Sequence, residues 1–388
     1  MERFSGIFCN FWQEYGIAGA VLVAILFVTF IIELYYYFGV YASVAGFRLS
    51  KRTKRTTKEP PVTVVVPIFN ENLAYLDEGL VALLTQDYAR YEVVAVYVGN
   101  DENFYADLSN LTKLYKHLKT TQIAFTPCYP VSTKMALNVG IKAASFEHII
   151  VTTTEATPAS SRWVALMAKG FAYGDIVLGY CGIERTKGFS NRIFREYRLA
   201  TSVAWLASAI RRHPYGASRH NMGFTKSLYF GARGFNHLNM NVGEDDLFIQ
   251  QVGTADNTAV VILPKATCFE RQWGGWSWWF NRVRYFGATR RFYPLRAKTF
   301  SAIELWARVL FFASTVLALV FLPNELRITA GAMLAVRFLA VEFTLLRISR
   351  RLNEGNIVGM HFLFDVIEPA IRLMVRAMLC KHNASSWR

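Results

Sequence analysis

The sequence predicts an α/β fold, a mostly parallel sheet with flanking helices, held between transmembrane helices at both ends. Three observations lead to it. Long uncharged runs stand near both termini, short β-branched runs alternate with amphipathic stretches through the middle, and a basic cluster follows the first uncharged run. With 53% hydrophobic residues and a mean hydropathy of +0.21, the 388-residue chain is too apolar for a purely water-soluble enzyme.

The first element is a membrane span. Tyr15 to Ile32 is an uncharged run of 18 residues, and past Glu33 the stretch Leu34 to Phe47 continues it, enough to cross a bilayer. The leading residues carry Glu2 and Glu14 against Arg3, a poor match to a cleaved signal peptide. Residues 1–47 are therefore an N-terminal transmembrane helix and 48–60 a basic juxtamembrane linker, in which Arg48 to Lys58, RLSKRTKRTTK, holds six basic residues and no acidic one. Such a cluster beside a span meets anionic lipid headgroups rather than nucleic acid, and it places this side in the cytoplasm. Membrane lipid is thus an expected partner and nucleic acid is not.

Residues 61–270 form the soluble block. The runs VTVVVPI at 62–68, EVVAVYV at 92–98, QIAF at 122–125, HIIVT at 148–152 and DIVLGY at 175–180 read as strands. ENLAYLDEGLVALLTQ and NFYADLSNLTKLYKHLK between them read as helices, which gives a βαβα order and a parallel sheet. Ligands of such sheets bind beyond the carboxyl ends of the strands. Those ends hold Pro67, Asn70 and Glu71, then Gly99, Asn100 and Asp101, then Thr152 to Glu155. Neither GxGxxG nor GxxxxGK[ST] follows any strand, so a nucleotide here is not held in the Rossmann or P-loop manner. Further on, NVGEDDLFIQQV sets Glu244, Asp245 and Asp246 at the start of a short apolar helix that Gly253 ends.

The tract RQWGGWSWWFNRVRYFGATRRF opens a 271–300 aromatic and basic helix suited to the membrane interface, with Trp276, Trp279, Phe280, Val283 and Phe286 on one face. Residues 301–388 hold further membrane segments. Val309 to Asn324 is uncharged, Ile328 to Leu346 is broken only by Arg337 and Glu342, and the segment from Ile357 is either interfacial or a polar-faced span. Arg347, Arg350 and Arg351 then fall on the same side as the first basic cluster. The five cysteines form no CxxC or Cys/His spacing, so neither a zinc site nor a disulfide framework is expected.

Several stretches, in order, resemble the membrane-bound inverting glycosyltransferases of family 2, whose sheet domain is called GT-A. VVVPIFNEN at 64–72 resembles the opening strand and its donor-binding turn, and KMALNVGIKAA at 134–144 resembles the KxxALNxG helix. ARGFNHLNMNVGEDD at 232–246 resembles the GGF segment and acidic pair, and FNRVRYF at 280–286 resembles QxxRW, with Asn281, Arg284 and Tyr285 at the motif positions.

The resemblance implies a nucleotide-sugar donor held by Pro67, Asn70, Glu71, Asp101, Lys134, Asn138 and Arg284. It implies Asp245 as catalytic base, with Glu244, Asp246 and Trp276 supporting the loop or the acceptor, a glycan or lipid-linked saccharide. Two departures stand out. Tyr97 and Val98 replace the usual paired aspartates, and TTTEATP replaces the metal-binding DxD, leaving Glu155 as the carboxylate for Mg2+ or Mn2+. The alternative these departures raise is a noncatalytic relative acting as scaffold or regulatory subunit.

Overall fold

The structure, a computed structural model, describes residues 2–51, 53–54, 59–126, 131–235, 242–355, 357 and 359–381. Arg52, Arg55 and Lys58 of the basic run, Cys128, and residues 236–241 ahead of the acidic triplet lie outside them.

The chain opens with helix α1 (Glu2–Leu34), broken at Gly16 where φ is 56°, and continues through a π-helical turn, Tyr35–Tyr41, into α2 (Ala42–Gly46). Strand β1 (Val62–Ile68) follows, buried at every position. Six of its seven residues are apolar, as a strand covered on both faces requires. A π-turn, Tyr75–Leu80, leads into α3 (Val81–Leu84) and β2 (Tyr91–Val98). Next come α4 (Glu102–Leu114), β3 (Leu118–Ile123), α5 (Thr133–Ala143) and β4 (His148–Val151). The helix expected to run to Lys119 thus ends at Leu114, and the third strand begins four residues before the apolar run that suggested it.

The second half contains β5 (Ala156–Pro158), α6 (Trp163–Gly170), β6 (Ile176–Gly179), β7 (Cys181–Ile183) and the long α7 (Phe189–Ile210). It continues with β8 (Met222–Thr225), α8 (Lys226–Gly231), α9 (Asp246–Val252), β9 (Thr258–Val261) and β10 (Cys268–Glu270). The seven-stranded sheet has the order β3-β2-β1-β4-β8-β6-β9. It is parallel except for β8, which runs antiparallel to both β4 and β6. Val151 pairs with Met222, so the entry of β8 lies at the carboxyl end of β4. A small second sheet, β5-β10-β7, covers that same end of the domain.

Helix α10 (Trp276–Gly287) follows the sheet domain, then α11 (Leu295–Phe321), α12 (Asn324–Arg351) and α13 (Met360–Lys381), the last of which packs on α10. Three segments, Gly16–Gly46, Leu295–Phe321 and Asn324–Arg351, are long and apolar enough to cross a membrane. Arg351 at the end of α12 donates to the carbonyl of Ala45 at 2.7 Å and to that of Phe47. The ends of the first and third of these segments therefore meet.

Among these helices seven charged side chains are buried: Glu33, Glu304, Arg308, Arg337, Asp365, Glu368 and Arg372. Arg337 joins Glu33 at 2.6 Å to Asp365, and Arg372 joins Glu304 and Glu368, both at 2.5 Å. Helix α13 turns this polar face inward and leaves Phe362, Val366, Leu373 and Met374 exposed.

Candidate active site

The site assembles at the carboxyl ends of β1, β2 and β4. Past β1, Asn70 and Glu71 lie in the exposed turn that Pro67 precedes. Tyr97, at the place of the expected aspartates, donates its hydroxyl to Glu71 Oε1 at 2.7 Å and accepts the Asp101 backbone N–H at 3.0 Å. The tyrosine thereby ties two donor-binding candidates together. Asp101 itself caps α4, its carboxylate accepting from the N–H groups of Asn103 and Phe104.

Helix α5 starts at Ser132, whose hydroxyl accepts from Met135 N–H, and this carries Lys134 into the interior, where it is fully buried. Burial lowers its pKa, opposed by the charges of Glu244, Asp246 and Asp245, so the lysine faces the acidic triplet. Asn138, one turn on, accepts from the Tyr229 hydroxyl at 3.3 Å. Gly140 lets the helix lie close on the sheet, since a Cβ there would stand 2.4 Å from Val65 Cγ1.

The triplet enters through Gly243, whose φ of 93° suits glycine, and all three carboxylates are buried. Asp245 caps α9: Oδ1 accepts from Asp246 N–H at 2.8 Å and Oδ2 from Arg219 N–H at 3.1 Å. Burial first, and the neighbouring Asp246 second, push its carboxyl up to about 7. Asp246 is held otherwise, accepting from Thr289 and, at 2.7 Å, from the Tyr293 hydroxyl. A group of this kind, half protonated near neutrality and fixed by two backbone donors, suits a general base.

Arg219 and His220 were not among the residues expected from the sequence. Arg219 donates through Nη1 to the Tyr285 hydroxyl at 2.8 Å and to Glu244 Oε1 at 3.3 Å, and through Nη2 to Glu155 Oε2 at 3.0 Å. It thus connects the expected metal position to the acidic triplet. Arg282 pairs with Glu155 and, at 2.8 Å, with Glu270. Burial opposes ionisation of Glu155, yet Arg219 and Arg282 together hold its carboxyl below the usual range. His220 is driven well below its ordinary pKa by burial and by Arg219, so its imidazole is neutral.

Glu155, His220 and Glu270 bring one ligand atom each within 4.8 Å of one another, close enough for one metal ion to bridge. The spacing of this triad is that of a metal site. Its charge is not, because Arg198, Arg219 and Arg282 already pair with its two carboxylates.

Asp245 and Arg282 line a cavity of about 200 Å3 with Trp278, Trp279 and Tyr285, and Tyr41, Glu304 and Arg372 of the terminal helices line it too. Trp276 stands outside it, edge-on to Phe194 at 5.1 Å. Arg284 is half-buried on the same helix, where Arg282 makes the contact to Glu155. A second cleft of about 620 Å3 opens beside Glu155, Asn72 and Thr154.

Neither a protein-family model nor a curated protein matches the chain. Solved structures do. The mannosyltransferase PcManGT from Pyrobaculum calidifontis, in complex with GDP-Man and Mn2+, aligns over 90% of this chain and 98% of its own, with 19% identity and a TM-score of 0.54. The chain has the fold of a solved glycosyltransferase. TarS from S. aureus, in complex with UDP-GlcNAc, aligns over 79% of this chain and 91% of its own at 15% identity and a TM-score of 0.41.

Proposed function

We propose that the protein is a membrane-anchored inverting glycosyltransferase that moves a sugar from a nucleotide-diphosphate donor to a membrane-proximal hydroxyl on a glycan or lipid-linked saccharide. The observation that carries this reading is Asp245, a buried carboxyl raised toward neutrality and aimed by two backbone N–H groups, lining one cavity with Arg282. The shared fold with a mannosyltransferase complexed with GDP-Man supports the donor class.

In this reading Asp245 takes the proton of the acceptor hydroxyl as the oxygen attacks the anomeric carbon. Lys134, Arg219 and Arg282 stabilise the charge that develops on the leaving diphosphate. Asn70, together with Glu71 and Asp101, which Tyr97 ties to each other, holds the nucleoside end. The aromatic cavity that reaches Tyr41, Glu304 and Arg372 receives the acceptor from the membrane side. The sheet domain faces the cytoplasm, where nucleotide-sugars are available; an introduced cysteine near residue 90 that reacts with an impermeant reagent applied outside the cell would refute that orientation.

The divalent cation, Mg2+ or Mn2+, that the resemblance implies would be held by Glu155, His220 and Glu270, whose spacing suits it, and would supply Lewis-acid stabilisation of charge; the guanidiniums of Arg198, Arg219 and Arg282 on the two carboxylates do not fit it.

Transfer assays on the detergent-purified chain with a panel of nucleotide-sugars test the reading. Turnover of one donor onto a lipid-linked or oligosaccharide acceptor is the expected result. Nucleotide binding without turnover on any acceptor would favour the noncatalytic scaffold.

A further inference from the structure

Glu155 and Glu270 together present four carboxylate oxygens, and a guanidinium nitrogen stands on each. Arg282 Nη2 is on Glu155 Oε1, and Arg219 Nη2 is 3.0 Å from Glu155 Oε2. Arg282 Nε is 2.8 Å from Glu270 Oε1, and Arg198 Nη2 is 2.6 Å from Glu270 Oε2. A dication entering between these carboxylates and His220 would meet three fixed positive charges at contact range. The cluster is already neutralised, and its cations belong to the protein.

Two of those cations lie close to Asp245. Arg219 precedes β8, and because β8 runs antiparallel to β4, it sits at the carboxyl ends of the parallel strands. Its backbone N–H fixes Asp245, and its side-chain Nε is buried with no hydrogen-bond partner among the described residues, so the fork has one bond still to make. Arg282 comes from α10 and lines the cavity that Asp245 also lines. Planar guanidinium forks match phosphate oxygens two at a time and keep their charge at any working pH.

We propose that Arg219 and Arg282 supply at the diphosphate the positive charge otherwise expected of a divalent cation, so that donor binding and transfer proceed without a metal. The inference rests on the transferase reading. In the transfer step the acceptor oxygen forms its bond to the anomeric carbon while the bond from that carbon to the β-phosphate oxygen breaks. The electron pair leaves with the diphosphate, and the hydroxyl proton passes to Asp245. Glu155 is then the counter-ion that holds the two guanidiniums in place before the donor arrives.

Calorimetric titration of the full chain in nanodiscs with GDP and with UDP, in excess EDTA and again with Mn2+, tests this. For the nucleotide that binds, affinities within about threefold of each other in the two conditions are expected. Arg282→Gln and Arg219→Gln should each weaken binding by about tenfold or more in EDTA, with no rescue by Mn2+. Arg282→Lys should recover part of the loss. Thermal unfolding establishes that each variant is folded, and if Arg219→Gln does not fold, the two Arg282 variants carry the test. Binding that requires Mn2+, accompanied by broadening of the Mn2+ resonance on addition of nucleotide, would overturn the proposal while leaving the transferase reading intact, as would unchanged affinity in the folded arginine variants. Absence of binding by either nucleotide under both conditions would remove the transferase reading and this inference with it.

Discussion

At the scale of single residues, the three adjacent carboxylates are held in three different ways. Glu244 meets Arg219, Asp245 meets two backbone N–H groups, and Asp246 meets Thr289 and Tyr293. Substitution should separate them. Asp245→Asn keeps the size of the side chain but removes the proton acceptor, so the transfer rate should fall roughly a hundredfold or more with folding near normal. Asp246→Asn should instead lower stability, by about 1–3 kcal/mol, because two buried hydroxyls lose their charged acceptor; rate measurements beside thermal melts distinguish the two outcomes. The pH dependence follows from the same geometry. A base works unprotonated, and burial holds the Asp245 carboxyl near 7, so kcat/KM should rise tenfold per pH unit below that value and level off above it. A limb near pH 4, the ordinary carboxylate range, would show that another group takes the proton. Asp245 was legible in the sequence because its neighbours form a recognisable string. Arg219 and His220 were not, since SRHNMGF carries no spacing signal and their importance comes from the direction of the strand that follows.

At the scale of elements, β1, β2, β4 and β6 lie within one residue of the apolar runs that announced them, because strands buried on both faces must be apolar throughout. The third strand was misplaced for the converse reason. Leu118–Ile123, LKTTQI, sits at the sheet edge with several positions partly exposed, so its polar residues imitate the end of the preceding helix. The antiparallel β8, MGFT, is too short to show a period at all. Helix α5 shows how an element delivers its residues. It reaches the sheet through Gly140, and Gly140→Ala would press a methyl against Val65 and Val96. The expected cost is about 1–3 kcal/mol in a thermal melt, with weaker nucleotide binding as Lys134 shifts with the helix. An unchanged melt would mean that the helix can ride outward freely.

At the scale of the whole molecule, the long apolar helices and the sheet domain share one continuous interior. The cavity beside Asp245 ends on Tyr41, Glu304 and Arg372, and Arg372 belongs to the buried charge network of α11, α12 and α13. The sequence left α13 as either interfacial or spanning because its charges looked like a solvated face. They face inward, where Asp365, Glu368 and Arg372 meet Arg337, Arg308 and Glu304 from 28, 60 and 68 positions away, on other helices that the sequence does not bring together. Arg337→Leu should be damaging out of proportion to its distance from the site. It would leave Glu33 and Asp365 buried together with Arg308 alone, at 3.8 and 3.5 Å, to balance both, a loss of about 3–5 kcal/mol, seen as a lower melting temperature and poorer recovery from detergent. A variant as stable as the parent would mean that the network is not holding the bundle. The same pairing sets a schedule for biosynthesis. Glu33 is separated from Arg337 by 304 positions. At about 5–20 residues per second, a ribosome delivers the arginine roughly 15–60 s after the glutamate. Throughout that interval the first helix carries a carboxylate without Arg337, so the buried pair closes only after the chain between them has been made.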